Sequence, residues 1–282
     1  MGFDSLTSNT TGANNTASGY NALFSNTTGA QNTAVGDDAL RSNTTANSNT
    51  AMGYHALYSN TTGSVNTAFG AFSMYSNTTG HTNIALGFSA LQDNTTGSWN
   101  VAIGTDALGT NVSGNYNLAI GRYALQDNTA NDNFAIGYKA LTENTTGTLN
   151  QASGIRSLQY NTTGDYNLAY GIWALKENTT ADYNTALGNF SLQVNTTGHT
   201  NVGVGLSSLF SNTTGSENVA TGVDSLKYNT TGNKNTSVGA FALISNTTAD
   251  FNTALGYQAL YSNTTGTKNI GIGPDSLYSN TT

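Results

Sequence analysis

The chain has 282 residues, of which 8% are charged, and its formal net charge is −7 at pH 7. Soluble domains carry about 25% charged residues, so this is not an ordinary globular domain. The absence of Cys excludes disulfides, thiolate metal sites and thiol catalysis. Eight Lys and Arg residues are too few for a nucleic-acid surface, and no apolar run approaches the ~20 residues of a membrane-spanning helix. We therefore expect no nucleic-acid partner and no membrane span.

A tandem repeat accounts for this composition. A Gly, two variable residues, a small residue and Leu recur from Gly2 to Gly273 at intervals of 17 residues, with one interval of 16 between Gly121 and Gly137. The shorter interval arises at residues 128–130, where Asn-Thr-Ala replaces a longer turn. With Gly as position 1, the unit reads G-x-x-[AS]-L-x-x-N-T-T-[GA]-x-x-N-x-A-x. The sequence predicts a single array over residues 1–282, with 17 copies of which the last is incomplete.

The repeat length and residue types predict the fold class. Gly, Asn and Thr form helices poorly, and one regular Leu per unit does not fit a leucine-rich repeat. The pattern favours an all-β fold, a parallel β-solenoid or β-roll of about 17 coils with 17 residues each. Positions 14–17 predict one strand, as in 100–103, and positions 4–7 predict a second, as in 56–59. Gly at the corners fits backbone with positive φ.

Alternation along the first strand assigns side chains to faces. Positions 15 and 17 share one face, and position 16 takes the other. Position 16 is nearly always Ala, which predicts that it presses against backbone. Position 17 is mostly large and apolar, so we expect its column to form either the interior of the roll or the seam of an oligomer. The column includes Val35, Met52, Phe69, Leu86, Ile103, Ile120 and Ile136.

Two Asn columns are the most regular feature of the repeat. Position 8 is Asn in all seventeen copies, and position 14 is Asn in all sixteen copies that reach it. An Asn side chain offers two donors and two acceptors, so stacked Asn residues can bond one another or cap turn backbone. We predict two structural ladders, which begin with Asn9, Asn26, Asn43, Asn60, Asn77 and Asn94 at position 8, and with Asn15, Asn32, Asn49, Asn66, Asn83 and Asn100 at position 14.

The position-8 column also permits a second interpretation. Asn-Thr-Thr is an acceptor pattern for N-glycosylation, although coils ~4.8 Å apart would crowd a glycan on every turn. The candidate acceptors include Asn9, Asn26, Asn60, Asn111, Asn212 and Asn263.

Catalytic and metal-binding patterns are missing from the sequence. His81 and His199 share position 12 but lie seven coils apart, about 34 Å at ~4.8 Å per coil. The carboxylates occupy different positions in different copies, which argues against a calcium-loaded roll. No phosphate-binding loop or dinucleotide fingerprint occurs. We therefore predict no catalytic residue, no metal site and no cofactor, and we expect that the protein is not an enzyme.

Aromatic residues at variable positions suggest a surface role. They are expected to face outward at positions 2, 3 and 6, and Tyr and Trp combine apolar area with a polar tip. Two interpretations remain open: rings that stack along the coils and protect strand edges, or a carbohydrate- or surface-binding face. The candidates are Tyr20, Tyr54, Tyr58, Tyr75, Trp173, Tyr257 and Tyr261.

A family resemblance rests on residues 100–108. Asn-Val-Ala-Ile-Gly followed by Thr-Asp-Ala-Leu resembles the S-V-A-I-G-x-x-A-x-A pattern of trimeric autotransporter adhesin heads, the YadA-like group, and residues 117–121 and 133–137 are similar. The Asn-Thr-Thr-Gly version is also similar to repeat regions of large bacterial surface proteins and phage tail-fibre proteins. The resemblance implies a left-handed β-roll, three chains packed about an axis, and a role in adhesion.

These observations lead to one leading function and two alternatives. We expect an extracellular structural and adhesive fibre segment, on a cell or virion surface, that self-associates as a homotrimer or an end-to-end filament and contacts host or surface carbohydrate. No capping unit is visible, so we expect a segment of a longer fibre or a subunit that stacks end to end. The alternatives are the shaft of a phage or virus receptor-binding fibre, and an ice-binding solenoid with Thr columns at positions 9 and 10.

Overall fold

The computed structural model describes residues 2–282, which form short strands and turns and contain no helix. The chain divides into two compact units, the first ending at Lys139 and the second spanning Ala140–Thr282. Each unit holds eight strands of three residues, and each is a parallel β-solenoid with one strand per coil. The predicted fold class is confirmed for coil length and strand direction.

The strands recur at the predicted interval. In the first unit they are β1 Thr16–Ser18, β2 Thr33–Val35, β3 Thr50–Met52, β4 Thr67–Phe69, β5 Ile84–Leu86, β6 Val101–Ile103, β7 Leu118–Ile120 and β8 Phe134–Ile136. In the second they are β9 Gln151–Ser153, β10 Leu168–Tyr170, β11 Thr185–Leu187, β12 Val202–Val204, β13 Val219–Thr221, β14 Thr236–Val238, β15 Thr253–Leu255 and β16 Ile270–Ile272. Within a unit, equivalent residues of successive coils pair in register, as Ala17 pairs with Ala34.

The second predicted strand, at positions 4–7, is wrong. Residues 56–59 lie in turns, because His55 and Leu57 have φ of 56° and 51°, far from the extended region. The amide of Ala56 donates to the carbonyl of Gly53 at 3.3 Å, and the amide of Asn60 to that of Leu57 at 3.2 Å, which closes consecutive β-turns. The one strand of each coil covers positions 15–17, so position 14 lies just before it.

The turns are nevertheless hydrogen-bonded to both neighbouring coils. The amides of Gly53 and His55 donate backward, to Val35 at 2.8 Å and Asp37 at 3.0 Å. The amides of Leu57 and Ser59 donate forward, at 3.0 and 3.1 Å. Backbone pairing therefore continues around the corner in a conformation that is not extended.

Positive φ at non-glycine residues is systematic in this fold. Fifty such residues occur in the described range, at positions 3, 5 and 13 of the repeat. This backbone is uncommon for residues other than Gly, and each instance is strained by about 1 kcal/mol or more. At position 5 it turns the Leu side chain inward, and the regular Leu residues from Leu23 to Leu260 are fully buried. The strain persists because the neighbouring coils fix the backbone on both sides.

The core of each coil is small and partly polar. Ala or Ser at position 4, Leu at position 5 and Ala at position 16 are buried together with the Asn residues at positions 8 and 14. The prediction for position 16 is confirmed, since Ala34, Ala51 and their equivalents are fully buried. Where position 16 is Gly203, a β-carbon would lie 2.5 Å from the hydroxyl of Ser191, so a neighbouring Ser fills that space.

Position 17 points out of the core. In the first unit Met52 is half-buried and Phe69 is exposed, while Ala51 and Ala68 beside them are buried. The interior alternative for the position-17 column is therefore excluded. The Gly corner is required as predicted, because Gly104 has φ of 129° and a β-carbon there would lie 2.7 Å from the carbonyl carbon of Gly121.

Candidate functional site: asparagine ladders and outer faces

The position-8 Asn side chains form a chain of amide hydrogen bonds. The Nδ2 of Asn43 donates to Oδ1 of Asn26 at 2.8 Å and to the carbonyl of Ala46 at 3.2 Å. Asn26 donates in the same way to Asn9 and to Gly29, at 2.8 and 2.9 Å. Both N–H groups of each side chain are thus used, one within the turn and one toward the preceding coil.

The position-14 Asn side chains bind backbone instead. Oδ1 of Asn32 accepts the amide of Asn49 at 3.0 Å, and its Nδ2 donates to the carbonyl of Ala46 at 2.8 Å. That carbonyl also accepts from Asn43, so the two ladders converge on position 11. The structure confirms the predicted ladders.

A third, interrupted ladder was missed by the sequence analysis. At position 12, Oδ1 of Asn47 accepts the amide of Ala30 at 2.7 Å, and Oδ1 of Asp182 accepts the amide of Asp165 at 2.7 Å. The Ser98 hydroxyl does the same for His81 at 3.1 Å. A signal was present, because ten of the sixteen residues at position 12 are Asn, Asp or Ser. His81, considered as a candidate ligand, is placed in this row rather than in a metal site.

The shortened turn interrupts the position-8 ladder. The buried Oδ1 of Asn111 has no hydrogen-bond partner. The position-14 ladder continues past the same point, since Asn133 donates its amide to Oδ1 of Asn117 at 3.0 Å. The carbonyl of Ala130 still accepts from both Asn117 and Asn128, at 2.8 and 2.9 Å. Loss of one turn residue therefore unpairs one acceptor of the position-8 ladder. It also changes the contacts of Asn133, whose Nδ2 donates to Oδ1 of Asn128 at 3.2 Å and to the carbonyl of Asn131 at 3.1 Å.

The ladder geometry bears directly on the glycosylation hypothesis. The acceptor nitrogens of five of the six candidates are buried and donate two hydrogen bonds each, namely at Asn26, Asn60, Asn111, Asn212 and Asn263. Asn9 is half-buried and donates to Gly12 at 3.0 Å. A glycan on a ladder nitrogen replaces one of these protons and needs space that the folded coil does not have.

Aromatic side chains from neighbouring coils stack on one another. Tyr58 lies on Tyr75 with ring centroids 5.2 Å apart, and Tyr261 lies on Tyr278 at 4.9 Å. The remaining candidates also contact rings, as Tyr20 contacts Phe3, Tyr54 contacts His55 and Phe72, Trp173 contacts Phe190, and Tyr257 contacts Phe241. Stacks such as Trp99 on Tyr116 at position 13 were not predicted. Parallel stacking of Tyr58 on Tyr75 and of Tyr261 on Tyr278 covers ring faces that a sugar would need, which favours the interpretation in which these rings support neighbouring coils. Trp173 and Tyr257 contact their neighbours edge to face instead.

The few cationic side chains lie against these rings. Six of the eight are within 6 Å of a ring centroid: Arg41, Arg122, Lys139, Lys176, Lys227 and Lys234. Such cation–π contacts contribute about 0.5–1 kcal/mol at exposed sites. The positive charge is therefore distributed over separate aromatic contacts instead of forming one patch.

Arg41 belongs to a polar cluster in the first unit. Its Nε lies 3.3 Å from Asp38, its Nη1 donates to the Tyr58 hydroxyl at 2.6 Å, and Nε2 of His55 lies 3.3 Å from the other carboxylate oxygen of Asp38. Among residues 2–282, no group of three or more His, Asp or Glu side chains could hold a metal ion.

Two carboxyl groups have perturbed pKa values. Partial burial raises the pKa of Asp106, and the nearby Arg122 offsets part of that rise. Burial alone raises the pKa of Asp127. The two residues occupy positions 3 and 7 of neighbouring copies. Desolvation at the turn surface is therefore the main cause of both shifts.

The outer surface of the strands, at positions 15 and 17, is the remaining candidate. We call it the sheet face. None of its 32 residues is charged. In β5–β8 all eight outward residues are apolar, and each is half-buried or exposed: Ile84, Leu86, Val101, Ile103, Leu118, Ile120, Phe134 and Ile136. The described part of the chain contains no helix long and apolar enough to cross a membrane.

Comparisons with protein-family models, with curated proteins and with solved structures give no match.

Proposed function

We propose that this chain is a non-catalytic, structural and adhesive segment of an extracellular fibre. The observation that carries the proposal is the pair of Asn ladders, in which buried side chains such as Asn43 and Asn32 join successive coils. Backbone hydrogen bonds join the same coils at the turns as well as at the strands. Buried amide networks that are fully paired resist deformation, because any separation of coils exposes unpaired polar groups. A stack of coils joined in this way is suited to bearing load.

Further features of the proposal rest on the resemblance to adhesin head repeats. They are a left-handed coil, three chains about one axis or an end-to-end filament, and a position outside a cell or on a virion. Carbohydrate is the ligand class that we retain for the adhesive role. The edges and hydroxyls of exposed rings such as Tyr166 and Tyr183 remain accessible, although their faces stack on each other at 5.1 Å.

The alternatives receive different support. A phage or virus fibre shaft would use the same load-bearing coils, so this remains the second candidate. The ice-binding alternative is weakened at position 9, where hydroxyls such as that of Thr27 donate to the next coil at 3.1 Å. Position 10 then presents a single exposed Thr rank, and we do not propose ice binding.

Two measurements test the proposal. Single-molecule pulling between the chain ends is expected to give a high unfolding force that falls when one ladder Asn is replaced by Ala. Beads that carry the folded chain are expected to remain on mucin-coated glass under flow, with heat-unfolded chain on identical beads as the control. Unfolding at forces typical of an unstructured polymer would contradict the structural role, and equal bead retention would contradict the adhesive role.

A further inference from the structure

The sheet face of the first unit has the composition of a contact surface. Its apolar centre is the set of eight residues on β5–β8, of which Ile84 and Phe134 are 41% and 36% exposed. Exposed aromatic rings flank it, with Trp99 at position 13 and Phe88 at position 2. Interface cores are depleted of charge and enriched in aromatic and apolar side chains. A contiguous, partly exposed apolar surface of this kind marks an interaction site.

The protein's own interior does not use these side chains. The inward side of each strand is filled by Ala at position 16, against the buried Leu of position 5. Leu118 and Ile120, for example, lie on either side of the fully buried Ala119 and point the other way. Their outward surface remains partly open to solvent.

We infer that this face packs against the same face of a second copy of the chain. Successive coils lie ~4.8 Å apart, so the outward side chains at positions 15 and 17 repeat with that period. A second copy of the chain carries the same period over eight coils. Matching rows of side chains from two sheets can interdigitate into a dry interface. An unrelated globular surface has no such period. The inference rests on the proposed fibre function and names the surface through which its chains associate.

The distribution of charged residues also favours contact between two copies at this face. Each chain carries a net charge of −7, which opposes self-association at most surfaces. None of the 15 carboxylates lies at positions 15 or 17, so the contact brings no acidic pair together. The rows beside the face in the first unit hold few charges, namely Asp37, Arg122 and Asp132.

The strands alone supply about half the area that a standard contact buries on each partner. Eight coils at ~4.8 Å extend about 38 Å, and three strand residues at ~3.3 Å give a width of about 10 Å, or about 380 Å². The rows at positions 13 and 2 lie at the turns on either side of the strands and add exposed rings such as Trp99 and Phe88 to this area. A standard interface buries about 800 Å² per partner. The strands alone fall short of this value, so the flanking aromatic rows are expected to take part.

Sedimentation velocity on the full chain at about 50 μM tests the inference. The face variant carries Ile103→Lys and Ile120→Lys, and the control carries Val112→Lys and Tyr228→Lys, at exposed apolar positions away from the face. We expect wild type and control to sediment as multiples of 29.2 kDa and the face variant to sediment as a monomer. The circular dichroism spectrum is expected to stay unchanged, because the substituted side chains point outward and the coil itself is retained.

A milder variant tests the inference in case the Lys substitutions prevent folding. Ile103→Thr with Ile120→Thr introduces a residue that position 17 already accepts at Thr221, and we expect it to weaken association at least tenfold. The inference would be overturned if the face variant assembled as strongly as wild type, whether end to end or in another way. A monomeric wild type would overturn it too, while the load-bearing function would still be decided by the pulling measurement.

Discussion

The ladder makes a quantitative prediction for Asn77→Ala. Asn77 is fully buried, and its Nδ2 donates to Oδ1 of Asn60 at 2.8 Å and to the carbonyl of Gly80 at 3.0 Å. Its Oδ1 accepts from Asn94 at 2.7 Å. The carbonyl of Gly80 keeps a second donor, Asn66, at 2.8 Å. Truncation therefore leaves two buried groups unpaired, the Asn60 oxygen and one N–H of Asn94.

The magnitude follows from those two groups. A buried donor or acceptor that loses its partner costs about 1–3 kcal/mol, so we expect a loss of about 4 kcal/mol in the free energy of unfolding. Typical domains are stable by about 5–15 kcal/mol, so this loss is large. Coils interact with their nearest neighbours, and the effect should concentrate around Asn60 and Asn94.

Urea unfolding and amide hydrogen exchange measure the two aspects of this prediction. Thr79→Ala is the matched control, because Thr79 is exposed in the same turn and should change stability by less than about 0.5 kcal/mol. Exchange is expected to accelerate in the coils on either side of Asn77 and to stay unchanged several coils away. A loss below about 1 kcal/mol for Asn77→Ala would refute the argument that the ladder stabilises the fold.

Four further predictions concern the corners, the short coil, a turn carboxylate and the ladder nitrogens. Gly104→Ala should prevent folding or lower stability by more than about 3 kcal/mol, because Gly104 has positive φ and an added β-carbon would collide with the backbone of the next coil. Gly109→Ala is the control and should be nearly neutral in thermal unfolding, because its β-carbon would lie no closer than 3.3 Å to backbone. A Thr inserted after Thr129 should pair the Oδ1 of Asn111 and raise the urea midpoint, with a gain of about 1–2 kcal/mol; an unchanged midpoint would contradict this. Burial raises the folded-state pKa of Asp106 above the ordinary value of 3.8, so the stability of wild type should fall as pH rises from 3.8 through the raised pKa. Thermal unfolding measured across this pH range should show the fall in wild type and not in Asp106→Asn. Protein secreted from a glycosylating host should have the intact mass of the bare 29.2 kDa chain, and added hexose mass at position 8 would disprove the ladder assignment there.

Turn conformation was the part of the fold that the sequence predicted incorrectly. Ala56–Leu57–Tyr58–Ser59 has a composition suited to a strand, and a Leu with φ of 51° is unfavourable when it is considered alone. Forward and backward hydrogen bonds to neighbouring coils select that conformation. Those bonds exist only when the coils are stacked, so no local pattern in residues 56–59 could reveal them.

Repetition along the chain was enough to predict the features that every copy must share. The 17-residue spacing specified the coil, Gly at position 1 marked the corner, and Asn at positions 8 and 14 marked the ladders, because each of these chemistries is required in every copy. Alternation also placed positions 15 and 17 on one face. That this face is the outer one became evident from the packing of the folded coil. The orientation depends on the turn that directs Leu of position 5 inward against Ala of position 16, and this packing leaves residues such as Ile103 and Ile120 on the surface.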